Sequence, residues 1–345
     1  MRGYGKGKSK LLVFLLLLCM LTGCGKEDTL DEKTEAATSE KTENVTEEAL
    51  APEKPEGKND ADVEALQKII EEQNASGADM PVNLNDEAYM WDENGRLTEL
   101  RIAKCKLQGE LSCEGLSEVM YLDCSFNELT SLDVSKNTKL MELHCHHNKI
   151  SSLDISRNTE LTDLSCSDNE IGSLDVSKNT ALWYLLCDYN QLSSLDVSNN
   201  TALAYLYCGD NEISGLDVSK NTELLYLYCD QNKLSSLDTS QNIELMNLSC
   251  SNNQIRSLDV SKNIELEQLF CENNEISSLD VSKNTALEML GCSYNKLSSL
   301  DVSKNAALLY LNCSYNKLNS LDVTNCSFID FAYEGNNPDM ELIGY

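Results

Sequence analysis

From about residue 97 the apolar and polar positions of this chain recur with a fixed period. Cysteine appears at 124, 145, 166, 187, 208, 229, 250, 271, 292 and 313, always 21 residues apart, each time inside the pattern LxxLxCxxNxL, with Val or Ile standing for Leu in some coils. Leu224, Leu227, Cys229, Asn232 and Leu234 in LLYLYCDQNKL are one instance. If Leu227-Tyr228-Cys229-Asp230 is a strand, its side chains alternate in, out, in, out. Stacked coils then bury continuous Leu and Cys columns, which a single 21-residue unit could not do alone. The second half of each unit, LDVSKN, carries a weaker stripe: Leu132, Val134 and Asn137 return as Leu153, Ile155 and Asn158. So short a unit leaves little room for a helix, and an extended or 3₁₀-like return leg is expected. Asn148 and its column mates are expected to bond backbone groups across neighbouring coils.

This pattern resembles the leucine-rich repeat, with Cys in place of the usual third Leu, and is most similar to the short-repeat bacterial surface proteins that include the internalin group. The resemblance covers about two-thirds of the chain. It implies a leucine-rich repeat solenoid, right-handed, with a parallel β-sheet on the concave face, extended or 3₁₀ return legs and little helix.

The ends depart from the period. Leu97, Leu100 and Ile102 fit it with Cys105 at the Asn position, so an irregular first coil is expected near Trp91. At the other end Phe328, Phe331, Tyr333 and Asn336 fit it after one deletion, as a capping coil. Solenoids need such atypical ends to cover their open cores. Before the repeat, DADVEALQKIIEEQNASG (60 to 77) places Val63, Leu66, Ile69 and Ile70 on one helical stripe, with Asp60 or Asp62 as N-cap and Gly77 as stop.

The first residues add an address. Arg2, Lys6, Lys8 and Lys10 precede the apolar run LLVFLLLLCML, then Thr22 and Gly23 precede Cys24. This pattern is that of a secretory signal, too short to span a bilayer as a helix. Leu21-Thr22-Gly23-Cys24 resembles the lipobox of bacterial lipoproteins, which implies cleavage before Cys24 and a diacylglycerol on its sulfur. Residues 25 to 60, rich in Glu, Thr, Lys and Ala and without an aromatic residue, cannot bury enough apolar area to order themselves. The expected organisation is a signal peptide (1–23), a lipidated Cys with an acidic linker (24–60), a short helix and N-terminal cap (61–96), repeats (97–327) and a capping coil (328–345). The expected location is the bacterial cell surface, outside the cytoplasm, with membrane contact only through the lipid, and the expected state is a monomer.

Charge and candidate chemistry narrow the function. A formal net charge of -30 argues against nucleic acid and anionic membrane surfaces, both of which reward Lys and Arg, so a partner would be basic or neutral. The stretch LHCHHN holds all three histidines, but Cys145 belongs to the buried column and points away from His144 and His146. Even with Asp123 of the adjacent coil there is no fourth protein ligand, so no metal or cofactor is expected. The Asp column from Asp133 to Asp322 suits turns in which the carboxylate accepts the backbone N–H two residues on, in preference to calcium. The column cysteines are expected to be buried free thiols, because in-register strands hold neighbouring Cβ atoms about 4.8 Å apart, beyond the usual span of a disulfide. No GxSxG, phosphate loop or HExxH occurs, so an enzyme is not expected.

The outward strand positions are not dictated by the scaffold. Tyr184, Tyr205 and Tyr226 form one column and Leu186, Tyr207 and Tyr228 the next, flanked by Asp188, Asp210 and Asp230. Adjacent tyrosines give large contact area at low entropic cost, which suits a recognition surface for a protein or a glycan. The competing reading is aromatic pairing that only stabilises the sheet of an acidic structural spacer.

Overall fold

The computed structural model describes residues 57–326 and 330–344; the signal, the lipobox and the acidic linker up to residue 56 lie outside them, while the last linker residues, 57–60, lead into the first helix. The leucines explain the architecture. In the coil from Leu203, the side chains of Leu203, Leu206, Cys208, Ile213 and Val218 are fully or almost fully buried, and their equivalents 21 residues on stack directly over them. One coil offers this stripe no cover, and about eleven stacked turns do. The strands Leu97–Arg101, Tyr121–Asp123, Glu142–His144 and their successors through Asp330–Ala332 pair in parallel and in register, Leu206 beside Leu227 and Leu227 beside Leu248. With the antiparallel Tyr89–Trp91 strand at its N-terminal edge, the sheet has thirteen strands.

Two asparagine ladders hold the coils together. In the first, Asn211 donates from Nδ2 to the carbonyls of Cys208 and Gly209 in its own turn and of Cys187 in the preceding coil at 2.9–3.2 Å, while its Oδ1 accepts the N–H of Leu192 at 2.9 Å. The expected bonds of Asn148 follow the same plan. The second ladder lies on the return leg, where Asn221 donates to the carbonyls of Val197 and Asn200. Here Oδ1 has no partner in coil after coil, from Asn137 to Asn305. Position 239 differs: a threonine replaces the usual valine, and its hydroxyl donates to Asn263 Oδ1 at 2.9 Å.

The return leg begins extended and closes with two successive tight turns, Asn200 N–H to Val197 carbonyl and Leu203 N–H to Asn200 carbonyl, both 3.0 Å. The Asp column makes the expected turns: the N–H two residues on reaches Asp Oδ1 at 2.9 Å from Asp133 through Asp322. Hydrogen bonds from Ser135, aided by the neighbouring Lys136, hold the Asp133 carboxyl below its ordinary range.

The N-terminal cap departs from expectation. Helix α1 (Asp60–Ala75) buries Val63, Leu66, Ile69 and Ile70 as the stripe requires, but its N-cap is Asn59, whose side chain accepts the N–H groups of Ala61 and Asp62. Asp62 is fully buried; it takes both Arg96 Nε (2.8 Å) and Nη2 (3.0 Å) and the Leu97 N–H (2.9 Å). A sequence rule that places acids at helix starts has no means of seeing this long-range pair, which fastens α1 to the first coil. Gly77, with φ 99°, follows the helix end by two residues. At the C-terminus, Asn336 joins the ladder by donating to the carbonyls of Cys313 and Tyr333, and a further strand, Glu341–Ile343, pairs with Ser320–Asp322. Phe328 lies outside the described residues.

All thirteen described cysteines are free thiols, eleven of them buried, and burial pushes the thiol pKa of the column members upward. Cys105 and Cys326 are partly exposed. Thiol titration of native protein should therefore find these two reacting first and the rest only in denaturant; a denatured count short by pairs would reveal disulfides. Asn211→Ala strands one buried N–H and up to three carbonyls, and should lower unfolding free energy by about 3 kcal/mol in denaturant titrations, at roughly 1–3 kcal/mol per unmade buried bond.

Candidate functional site

The outward positions of the central strands gather the predicted tyrosines. Tyr184, Tyr205 and Tyr226 lie beside one another across the Tyr184–Leu186, Tyr205–Tyr207 and Tyr226–Tyr228 strands. Strand spacing of about 4.8 Å falls within the centroid separation of offset-stacked rings, so neighbours stack. The centroids of Tyr205 and Tyr226 are 4.9 Å apart at 14°, and those of Tyr207 and Tyr228 are 4.7 Å apart at 6°. Tyr184 meets Tyr205 at 5.4 Å and Tyr207 at 6.2 Å, both tilted. Leu186 continues the second column, level with Tyr207. Stacking costs exposure: Tyr226 retains 9% and the other rings are half-buried. Burial raises the Tyr184 hydroxyl to about 12 and moves those of Tyr207 and Tyr228 upward as well.

The three flanking carboxylates occupy two adjacent columns. Asp188 and Asp230 follow the column cysteines directly, and the residue between them in that column is Gly209, not Asp210. Asp210 sits one position further on, where every coil adopts a left-handed backbone, φ 48° at Asp210 and 52° at Tyr189. The first ladder requires that turn. Asp188 Oδ1 accepts Ser167 Oγ at 2.6 Å; Asp230 Oδ1 accepts Ser249 Oγ and, at 2.9 Å, the Ser251 N–H. Glu272, two coils beyond Asp230 in the same column, accepts Ser251 Oγ at 2.7 Å. Burial pushes the Asp188, Asp210 and Glu272 carboxyls up and takes Asp230 to about 6.

Two aromatic groups were not foreseen. Trp183 immediately precedes the Tyr184–Leu186 strand, 45% exposed, with its ring edge-on to Tyr205 at 5.5 Å. Tyr189, Tyr294 and Tyr315 occupy the left-handed column, all exposed, and the last two stack at 4.3 Å. A side chain with a Cβ is disfavoured at such φ values, and the short polar Asn and Asp tolerate them best. The 21-residue register does align these tyrosines with Asp168 and Asp210, but not their backbone conformation.

The histidines serve the surface. His144 Nδ1 lies 3.4 Å from the Tyr121 hydroxyl and its Nε2 3.5 Å from Asp163, which raises its pKa; His146 Nδ1 lies 3.1 Å from Ser165 Oγ. His147 pairs with Asp168 and stacks on Phe126 at 4.3 Å. Asp123 is turned to its own chain, accepting the Ser125 N–H and hydroxyl. Among the described residues no three His, Cys, Asp or Glu side chains group as a metal site would require, and no helix there is long and apolar enough to cross a membrane.

No family model and no curated protein matches the chain. Among solved structures, it is similar to the functional domain of InlJ from Listeria monocytogenes, which includes a cysteine ladder: TM-score 0.63, 36% identity, covering 71% of this chain and 54% of that one. The chain thus spans about half of that structure. A Leptospira interrogans LRR protein gives TM-score 0.61 at 21% identity, covering 79% of each chain. The plant peptide hormone receptor RGFR1, solved in complex with RGF2, gives 0.54 at 20%, covering 73% of this chain and 55% of that one. The in-register parallel sheet, the asparagine ladders and the Cys column shared in kind with InlJ make this chain a leucine-rich repeat solenoid of the internalin-like group.

Proposed function

We propose that the protein is a non-enzymatic recognition scaffold at the bacterial cell surface, tethered through a lipid on Cys24, that binds a protein partner on the sheet face of its central coils. The observation that carries this reading is the five-tyrosine platform, with Trp183 at its margin and Asp188, Asp210 and Asp230 along its other side. Large rings immobilised by their neighbours contribute contact area while losing little further entropy on binding. RGFR1, of the same fold, was solved with RGF2 bound. The address rests on Leu21-Thr22-Gly23-Cys24 and the apolar run before it.

The stacks themselves favour a second reading, in which the rings only brace the sheet of an acidic spacer. Asp230 bears on the choice. Its carboxyl is raised to about 6, against an ordinary value near 3.8, so the folded state holds the proton more tightly than the unfolded chain. Both states are neutral below about pH 4, and the stability contributed by protonation is lost as pH rises through about 6. A carboxylate that costs stability at neutral pH supports recognition over bracing alone.

Asp230→Asn should therefore match the parent near pH 4 and exceed it at pH 7.5 by about 1–2 kcal/mol, the full shift being discounted for partial solvent access; equal stability at both pH values would remove this argument. Tyr205→Ala with Tyr228→Ala should abolish capture of the partner in a screen of extracellular proteins and glycans, whereas Tyr205→Phe with Tyr228→Phe keeps the stacks and the fold. Loss of stability alone, with every captured molecule retained, is the spacer outcome. Capture of glycans but no proteins would replace the partner class.

A further inference from the structure

Lysines and arginines are distributed unevenly around the coil. Five positions per coil form the sheet face and its two margins, those of Trp183, Tyr184, Leu186, Asp188 and Tyr189 and their equivalents at 21-residue steps. Across the ten coils that begin at Val119 none of these positions is Lys or Arg, although thirteen such residues occur between 119 and 326. All thirteen fall on the turn after the first asparagine ladder or on the return leg, as Lys149 and Lys233 do, where they pair with Glu128 and Glu212 at 3.1 Å. The same sheet-face positions carry carboxylates, among them Asp163, Asp188, Asp210, Asp230, Glu267 and Glu272. Only the three histidines, at the N-terminal end, can add positive charge there. Fold stability does not require this segregation, because the columns accept Tyr, Ser, Met, Asn and Glu alike.

The chain's own first coil shows what these positions accept. It is the one coil with cations on the sheet face, and they lie on aromatic rings of the next: Arg101 is 5.0 Å from the Tyr121 centroid while bonded to Glu99 at 2.6–3.0 Å, and Lys104 is 5.0 Å from the Phe126 centroid. Tyr121 belongs to the column of Tyr184, Tyr205 and Tyr226, and Phe126 to that of Tyr189. In the central coils the rings and carboxylates recur without an intramolecular cation. Tyr189 stays 56% exposed at a backbone conformation that disfavours it, between Asp188 and Asp210. Ring faces and carboxylates together grip an ammonium or guanidinium group, and desolvation by the surrounding rings strengthens that grip.

Resting on the recognition reading above, we infer that the partner segment is an extended, Lys- or Arg-rich polypeptide lying across the coils, its cations seated on the Tyr184–Tyr228 platform and Tyr189 and paired with Asp188, Asp210 and Asp230. A peptide of about 12 residues, roughly 40 Å long at about 3.4 Å per residue, would cross about eight coils.

The test titrates the full chain with oligo-arginine, oligo-lysine and oligo-glutamine peptides of about that length by calorimetry. Because a protein of charge -30 attracts any polycation, two triple variants of equal charge change are compared. One is Asp188→Asn, Asp210→Asn, Asp230→Asn; the other is Glu160→Gln, Glu223→Gln, Glu244→Gln, at exposed return-leg sites. The inference expects cationic peptides to bind, the sheet-face variant to weaken them about tenfold or more, and the return-leg variant to change affinity by less than about threefold. Tyr189→Leu with Tyr205→Leu, which keeps apolar area, should also weaken them. Equal weakening by both triple variants, binding of the oligo-glutamine peptide as tight as the cationic ones, or no binding overturns the inference. The recognition reading fails separately, only if the tyrosine-to-alanine pair leaves capture in the protein and glycan screen unchanged.

Discussion

The structure depends on one constraint: a 21-residue coil turns too sharply to satisfy its own backbone polar groups, and it meets them through its neighbours. The first asparagine ladder does this where the chain leaves the sheet. A single amide there occupies carbonyls in two coils and accepts an N–H of the coil before. Nothing shorter reaches both coils, and an apolar side chain would leave buried polar groups unpaired at about 1–3 kcal/mol each. Register, spacing and buried columns follow from that bond. The thiol column fits the same logic, because Cys is small and apolar enough to pack beside a turn already filled by the asparagine amide.

The ladder also shapes the surface. It forces a left-handed residue immediately before each asparagine and so projects Tyr189, Asp210 and Tyr294 outward from a fixed backbone. The parallel register then sets neighbouring outward side chains one stacking distance apart, about 4.8 Å. A binding surface on this scaffold resembles a grid whose spacing is set by hydrogen bonds and whose contents are free to vary. In the central coils the contents are rings and carboxylates, and the stacks that make the platform rigid also hide much of it. Stability and recognition here share the same side chains, which is why the Phe pair and the Ala pair at Tyr205 and Tyr228 separate them.

The carboxylates show how position decides chemistry within one coil. Asp196 and its column mates lie at exposed turns, where hydrogen bonds from Ser198 hold the carboxyl low. Asp230, also bonded to serines, lies near Tyr228 on the sheet face, where desolvation outweighs those bonds and raises it. Identical residue types thus split into structural and ionisation-sensitive sets according to the face they occupy.

Sequence alone determined the period, the parallel in-register sheet, the identity of the core columns and the turn role of the Asp column, because each is a nearest-neighbour property repeated many times over. It also placed Tyr184, Tyr205, Tyr207, Tyr226 and Tyr228 side by side. Tertiary structure decided what the repeat does not encode. Asp62 reads locally as a helix cap and is instead bound by Arg96, 34 residues away. Asp210 shares the column of Tyr189 by the period, but that this column takes a left-handed backbone is decided by the fold. The cations on Tyr121 and Phe126 come from the irregular first coil, and how far each tyrosine is buried depends on ring tilt. A periodic sequence specifies how one coil meets the next, whereas ends, side-chain reach and desolvation depend on the whole stack.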